Sequence, residues 1–109
     1  MRSVQVQFTI DDATQGEAIV VDLLSKRLVA CAQTLGPVTS RYWWQGSITE
    51  AREWLFLCKT TPERLDDVVA CIRHAHPYEV PEVIALPIVQ DEGNADYRAW
   101  VVAETRPGA

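Results

Sequence analysis

The chain opens with two different hydrophobic periods. Apolar residues stand at every second position over a seven-residue stretch, which predicts a half-buried strand carrying Val4, Val6, Phe8 and Ile10. After Asp11-Asp12 the apolar residues recur at helical spacing, so we predict a helix from about Thr14 to Val29. Thr14 and Glu17 fit a capping box at its start, with Thr14 as the cap.

The middle of the chain predicts a long hairpin. Val38 to Trp44 is rich in β-branched and aromatic residues, which favour strands. Gln45-Gly46 supplies a turn. Trp54 to Lys59 is dense enough in apolar residues to form a second strand that is buried on both faces or at an interface.

A second helix follows the hairpin. Thr61 is the expected cap and Pro62 suits the first helical position. One apolar face then recurs at helical spacing in Leu65, Val68, Val69 and Ile72. The segment from His74 to Pro77 ends this helix, because the residue before a proline avoids helical geometry.

The last elements are a strand and a short helix. Val83 to Val89 predicts a core strand, with an edge or a bulge where Pro81 and Pro87 fall. Asn94 is a suitable cap for a final helix.

The predicted order is β-α-β-β-α-β with one more helix at the end. This is the order of two split βαβ units packed into one antiparallel sheet with helices on one face. We therefore predict an α+β, ferredoxin-like sandwich with an extra C-terminal helix. A chain of 109 residues suits one domain over 1–109.

Charge and composition exclude several classes of partner. The net charge is −5 and no Lys/Arg run occurs, so nucleic acid and anionic membranes are not expected partners. No apolar run approaches the ~20 residues of a membrane span. The start lacks the apolar region of a signal peptide, so we expect a cytoplasmic protein. The three cysteines form no C-x-x-C pair and fit small hydrophobic residues in a reducing compartment.

One polar segment stands out, from His76 to Glu82. It contains an imidazole, a phenol and two carboxylates, and its prolines stiffen the backbone. One interpretation is a metal or small-ligand site, since His nitrogen and carboxylate oxygen suit zinc, copper or nickel. The other is structural: His76 ends a helix and bonds a backbone carbonyl, while Tyr78 and Glu82 shape the loop and an interface.

The hairpin carries an unusual density of aromatic residues. Trp43 and Trp44 are neighbours in a strand and point to opposite faces, so both cannot enter one core. Association with another copy explains them best, since exposed aromatic patches mark interfaces. Ligand stacking is the alternative.

Catalysis has little support. Three acidic residues follow the first strand: Asp11, Asp12 and Glu17. They suit a turn and a helix start. Paired carboxylates can also act as acid and base or bind cations, which is the alternative interpretation. The sequence shows no nucleophile paired with a base and no phosphate-binding glycine loop, so we do not expect an enzyme.

The segment from His76 to Ile88 resembles the signature of the CutA divalent-cation tolerance proteins. The resemblance extends in order over nearly the whole chain. It includes the family's end of helix one, its hairpin, its third-strand exit and its final helix, which here are Leu28–Ala32, Gly36–Ser40 with Tyr42–Gly46, Lys59–Thr61, and Asp96-Tyr97 with Trp100.

The resemblance implies a PII-like homotrimer in which strands of one subunit extend the sheet of the next. It also implies a link to tolerance of copper and other divalent metals, with a copper or zinc ion as the ligand. The family's proposed metal ligands match Phe8, Ala75 and Glu82 here, so Glu82 is retained and His76 lies nearby. We expect Glu82 and His76 to be the ligands. The alternative function is a signalling or scaffold trimer that binds a small ligand or a protein partner between subunits.

Overall fold

A four-stranded antiparallel sheet organises the protein. The computed structural model describes residues 2–107. Its strands β1 (Val4–Ile10), β2 (Cys31–Trp44), β3 (Ser47–Thr60) and β4 (Val83–Pro87) lie in the order β2-β3-β1-β4. This order confirms the predicted ferredoxin-like topology. In chain order the elements are β1 (Val4–Ile10), α1 (Ala13–Ser25), β2 (Cys31–Trp44), β3 (Ser47–Thr60), α2 (Pro62–Ala75), β4 (Val83–Pro87) and α3 (Ala95–Glu104).

The core lies between the sheet and the helices α1 and α2. Strand β1 alternates as predicted, with its four apolar residues buried. Phe8 stacks on Phe56 of β3, with 5.0 Å between ring centroids. Helix α1 reaches the sheet closely because Gly16 lies over Phe56, with no room for a side chain. The helices add Ile19, Leu23, Val68 and Ile72 to this cluster.

Helix α1 is shorter than predicted, and its cap differs. Asp12 is the cap, since its Oδ1 accepts a hydrogen bond from the Gln15 N–H at 3.1 Å. The predicted Thr14–Glu17 capping box is therefore wrong. The helix ends at Ser25 rather than Val29, because Arg27 adopts a left-handed φ of 57°.

The end of α1 is a Schellman motif. The Leu28 N–H bonds the Leu23 carbonyl and the Arg27 N–H bonds the Leu24 carbonyl. Glycine usually occupies the left-handed position of this motif, and Arg27 gave no such signal. The segment matched to the family's end of helix one therefore lies just beyond the helix, and Cys31 already begins β2.

The hairpin strands are longer than predicted, at 14 residues each. The β2 strand begins at Cys31, which pairs with Lys59, instead of at Val38. A bulge between Leu35 and Val38 accommodates Gly36-Pro37, and the two strands stay paired across it. A proline in the sequence concealed this continuity, because proline usually interrupts a ladder.

The second half of the chain agrees more closely. Thr61 occupies the cap position of α2, although its side chain makes no capping hydrogen bond. Strand β4 is an edge strand, as its prolines predict, but it ends at Pro87 instead of Val89. The predicted core position is wrong, because Val83 is half-buried and the other residues of the strand are exposed. Asn94 caps α3 through its Oδ1, which accepts from the N–H groups of Asp96 and Tyr97.

The sheet face opposite α1 and α2 has an apolar surface. Residues paired across antiparallel strands share a face, and Gln7 pairs with both Leu57 and Ile84. We define the open face by the apolar residues on this side: Leu35, Leu55, Leu57, Ile84 and Leu86. Leu35 is 52% exposed, Ile84 41% and Leu86 45%. This surface is a candidate for association.

Candidate functional site

The segment that follows α2, residues 76–82, is held to the sheet by His76. This residue is buried, and its Nε2 lies 2.7 Å from the carbonyl oxygen of Thr9. Its Nδ1 accepts a hydrogen bond from the Tyr78 N–H at 3.1 Å. A carbonyl only accepts, so Nε2 carries the ring proton and donates it to Thr9. The backbone-carbonyl bond of the structural interpretation is therefore present.

Tyr78 links this segment to the hairpin. Its hydroxyl donates to Glu53 Oε2 at 2.8 Å, and its ring packs edge-on against His76 at 4.5 Å. Burial raises the pKa of the Tyr78 phenol, and the hydrogen bond to the Glu53 carboxylate raises that pKa further. The phenol therefore keeps its proton and acts as a donor to Glu53.

A cavity of about 780 Å³ lies between residues 76–82 and the hairpin. Its lining combines two chemical classes, and we call it the acidic-aromatic cavity. The carboxylates are Asp11, Glu53, Glu79 and Glu82, and the aromatic residues are Tyr42, Trp43, Trp44 and Tyr78. Cavities of this size hold small organic molecules.

The two predicted metal ligands take different positions. Glu82 is exposed and lines the cavity, whereas His76 turns both ring nitrogens to Thr9 and Tyr78 and is not part of the lining. Phe8 lies in the core against Phe56, so the first family position holds a ring instead of a ligand atom. Ala75 offers no ligand atom. Metal binding by Glu82 and His76 stays a prediction.

No ready-made metal cluster accompanies these residues. Within residues 2–107, no group of three or more His, Cys, Asp or Glu side chains is arranged to hold a metal ion. Asp12 is engaged in capping α1, while Asp11 lines the cavity. Of the three acidic residues noted after the first strand, Asp11 is therefore the one placed to face a ligand.

The tryptophans divide as the strand alternation requires. Trp43 pairs with Ile48 and is 72% exposed, whereas Trp44 pairs with Ser47 on the other side of the hairpin. Trp54 is half-buried on the core side, where Gly36 packs against its ring. The hairpin thus presents large apolar area outside the core of this chain.

Sequence reasoning missed Glu53. This side chain is only 5% exposed, and it lies between the predicted turn and the predicted strand. The signal was its register: Glu53 shares a strand face with Leu55 and Leu57, so it is a lone carboxylate in an apolar alternation. A buried carboxylate needs a hydrogen-bonding partner, which the Tyr78 hydroxyl supplies here.

The cysteines fit the prediction in part. Cys58 is buried, and burial raises the pKa of its thiol to about 12. Cys31 and Cys71 are half-exposed, and each meets a polar partner. The Cys31 Sγ lies 3.3 Å from the Tyr97 hydroxyl of α3, and the Cys71 thiol donates to Asp22 at 3.2 Å.

The fold and the cavity lining together define a ferredoxin-like domain with a cavity between its long hairpin and the segment after its second helix. The model of one family, the CutA1 divalent ion tolerance protein, matches residues 4–104. This chain therefore belongs to the CutA1 divalent ion tolerance family.

Individual relatives agree with this assignment. The chain is 32% identical over 104 residues to the divalent-cation tolerance protein CutA of Escherichia coli, covering 95% of this chain and 91% of that one. It is 35% identical to the chloroplastic protein CutA 1 of rice, Oryza sativa, with 95% of this chain covered. The match spans 58% of the length of that rice protein.

Solved structures match over the same extent. Rice CutA1 superposes with a TM-score of 0.91 at 34% identity, covering 97% of this chain and 95% of that one. A protein from Archaeoglobus fulgidus, described as the periplasmic divalent cation tolerance protein CutA, gives a TM-score of 0.89 at 28% identity. That match covers 95% of this chain and 99% of the other. Within residues 2–107, no helix is both long and apolar enough to cross a membrane.

Proposed function

We propose that this chain acts in divalent-cation tolerance as a homotrimer that works by binding and not by catalysis. The observation that carries the proposal is the concentration of four carboxylates around one cavity, in a chain of the CutA1 family. Carboxylate oxygens attract cations of either chemical class, metal or organic.

The trimer is supported by the apolar open face. Leu35, Ile84 and Leu86 leave apolar area on a sheet face that α1 and α2 do not cover, and burial of such area drives association. Sedimentation equilibrium should give about three times the 12.2 kDa chain mass. A monomer at micromolar concentration contradicts the trimer.

For metal binding we propose Glu82 as the exposed ligand and His76 as its partner, with copper or zinc as the ion. His76 can coordinate through Nε2 only if that atom gives up its hydrogen bond to Thr9, so binding should shift this segment. Titration calorimetry with Cu(II) and Zn(II) tests the pair through Glu82→Gln and His76→Asn.

The control for this titration is His74→Asn, because His74 is exposed at the end of α2. We expect the heat of binding to fall in the two site variants and to persist in the control. Unchanged heats in a Glu82→Gln/His76→Asn double variant contradict the metal site.

The second candidate function is a PII-like signalling or scaffold trimer that binds a small ligand or a protein partner between subunits. The size and aromatic lining of the cavity favour it, since ligand sites are concave and largely apolar with a few polar groups. A thermal-shift screen of metabolites on metal-free protein tests it. A complete absence of stabilising compounds counts against ligand binding.

A cytoplasmic location is our proposal for the compartment. Its support is the presence of three free thiols, which suits a reducing environment. The Archaeoglobus fulgidus relative is described as periplasmic and the rice relative as chloroplastic, so location varies among relatives. Cell fractionation with compartment markers tests this location. Recovery of the protein outside the cytoplasmic fraction contradicts the proposal.

A further inference from the structure

We propose that the acidic-aromatic cavity binds an organic cation, a small molecule that carries one or more ammonium groups. The inference deepens the second candidate function and rests on it, since it names the class of ligand for that cavity. It requires no metal ion.

The charge of the cavity is the first support. Four carboxylates line it, and the one basic residue in the lining is Arg41. The Arg41 Nε is already engaged, because it lies 3.2 Å from a Glu50 oxygen on the paired strand. The lining therefore has an excess of negative charge that a cationic ligand would compensate.

The burial of Glu53, one of these four carboxylates, is the second support. This residue is more than nine-tenths buried, yet within residues 2–107 it forms no ion pair with a lysine, arginine or histidine. Tyr78 donates to its Oε2, and Oε1, which has no described donor and is not among the fully buried unpartnered atoms, is left able to accept from a ligand. A carboxylate that is largely removed from water favours a positively charged partner, and an ammonium group in the cavity would supply one.

The aromatic residues are the third support. Tyr42 and Trp44 come from the hairpin and Tyr78 from the segment after α2, so rings face the cavity from two elements. The face of an aromatic ring attracts ammonium groups, and quaternary ammonium ligands are bound in such surroundings. Carboxylates together with rings suit an organic cation better than an anion or a neutral molecule.

A bare divalent ion fits this lining less well. Such an ion needs several oxygen or nitrogen ligands at about 2.0–2.6 Å, and within the described part of the chain no three suitable side chains are grouped in this way. The volume of about 780 Å³ is also far larger than an ion needs. We expect an extended amine to contact carboxylates from two elements of the lining, Glu53 of the hairpin and Glu82 of residues 76–82.

The test uses probes matched in length but different in charge. Titration calorimetry at low ionic strength compares 1,4-diaminobutane with neutral 1,4-butanediol and anionic adipate, and tetramethylammonium tests the aromatic contribution. We expect the diamine to bind at least ten times more tightly than the diol, with no binding of adipate. Added salt should weaken diamine binding, because charge attraction is screened.

Variants of the cavity locate the binding. Glu53→Gln keeps an oxygen that can accept from Tyr78 but removes the charge, and should weaken diamine binding about tenfold. Trp44→Leu should weaken tetramethylammonium binding more than diamine binding. The matched control is Asp66→Asn, which removes a carboxylate from the exposed side of α2 and should leave both affinities unchanged.

The outcomes separate the ligand class from the ligand-binding function. If the metabolite screen finds only neutral or anionic compounds, the organic-cation proposal is overturned and the second candidate function stands. If no compound binds, the organic-cation proposal and the small-ligand form of the second candidate function both fall, and a protein partner is what that function retains. If Glu53→Gln instead dissociates the oligomer in sedimentation, a basic residue of a second copy pairs with Glu53, and the small-molecule proposal is again overturned.

Discussion

Removing the Tyr78 hydroxyl tests whether the Tyr78–Glu53 contact stabilises the fold. Tyr78→Phe leaves the ring against His76 but deletes the donor that lies 2.8 Å from Glu53 Oε2. Hydrogen bonds to charged groups contribute about 1.5–3 kcal/mol to stability. Glu53 is nearly fully buried and this is its single described hydrogen bond, so we expect a loss of about 2 kcal/mol.

Urea unfolding at pH 7 and one fixed protein concentration measures this loss, because the stability of an oligomer depends on concentration. A double-mutant cycle with Glu53→Gln isolates the pair, and we expect a coupling energy of roughly 1 kcal/mol or more. Tyr97→Phe is the control, since that hydroxyl meets the Cys31 sulfur and not a carboxylate. A loss below about 0.5 kcal/mol, or strictly additive variants, refutes the reasoning.

The same variant makes a pH prediction. The pKa of Tyr78 is raised above its ordinary value of 10.0 in the folded protein. In the unfolded chain the phenol ionises near pH 10, while the folded state still holds its proton. The stability contributed by this group is therefore present below pH 10 and lost as the pH rises above it. The advantage of wild type over Tyr78→Phe should shrink between pH 9 and pH 11, and a constant difference contradicts this account.

Three further perturbations test the core, the thiols and the open face. Gly16→Ala should destabilise the fold by about 1–3 kcal/mol through overpacking, because the new methyl meets the Phe56 ring at 2.3 Å. Ala18→Gly at an exposed site of α1 measures the effect of helix propensity without a packing change. A Gly16→Ala variant that is more stable than wild type contradicts the close packing of α1 on Phe56. Cys58 should resist thiol reagents at pH 8 until unfolding, as mass spectrometry reports, because its pKa is about 12; rapid native labelling contradicts this. Leu86→Asp should reduce the sedimenting mass, and an unchanged oligomer shows that the open face is not the interface.

Sequence patterns predicted the fold wherever one period dominated. The alternation of β1 and the helical face of α2 gave correct elements, because burial of one face determines each of them. The predicted ends of helices and strands were wrong where the conformation of single residues, and not the hydrophobic period, determined them. Arg27 adopts a left-handed conformation that glycine usually supplies. Gly36-Pro37 lies in a bulge inside β2, although glycine and proline usually indicate the end of a strand.

The candidate site was predictable in part. The segment after α2 was identified because its polar residues are crowded, and Tyr78 and Glu82 do line the cavity. Glu53 was not identified, because its proximity to Tyr78 depends on how the hairpin lies beside that segment. The two residues are far apart in the chain, and no local pattern encodes a contact of this kind.

The position of β1 at the centre of the sheet has a consequence for the order of folding. Its first residue, Val4, pairs with Thr60 on one side and Pro87 on the other, so both neighbours of this strand come from much later in the chain. The hairpin of β2 and β3 can form from local contacts, whereas β1 must wait, and distant pairings of this kind slow folding. During synthesis β1 is the first strand to be made and the last to obtain both of its neighbouring strands. Until β4 leaves the ribosome, one edge of β1 carries unpaired backbone groups beside apolar side chains, and strands with such edges associate with other chains.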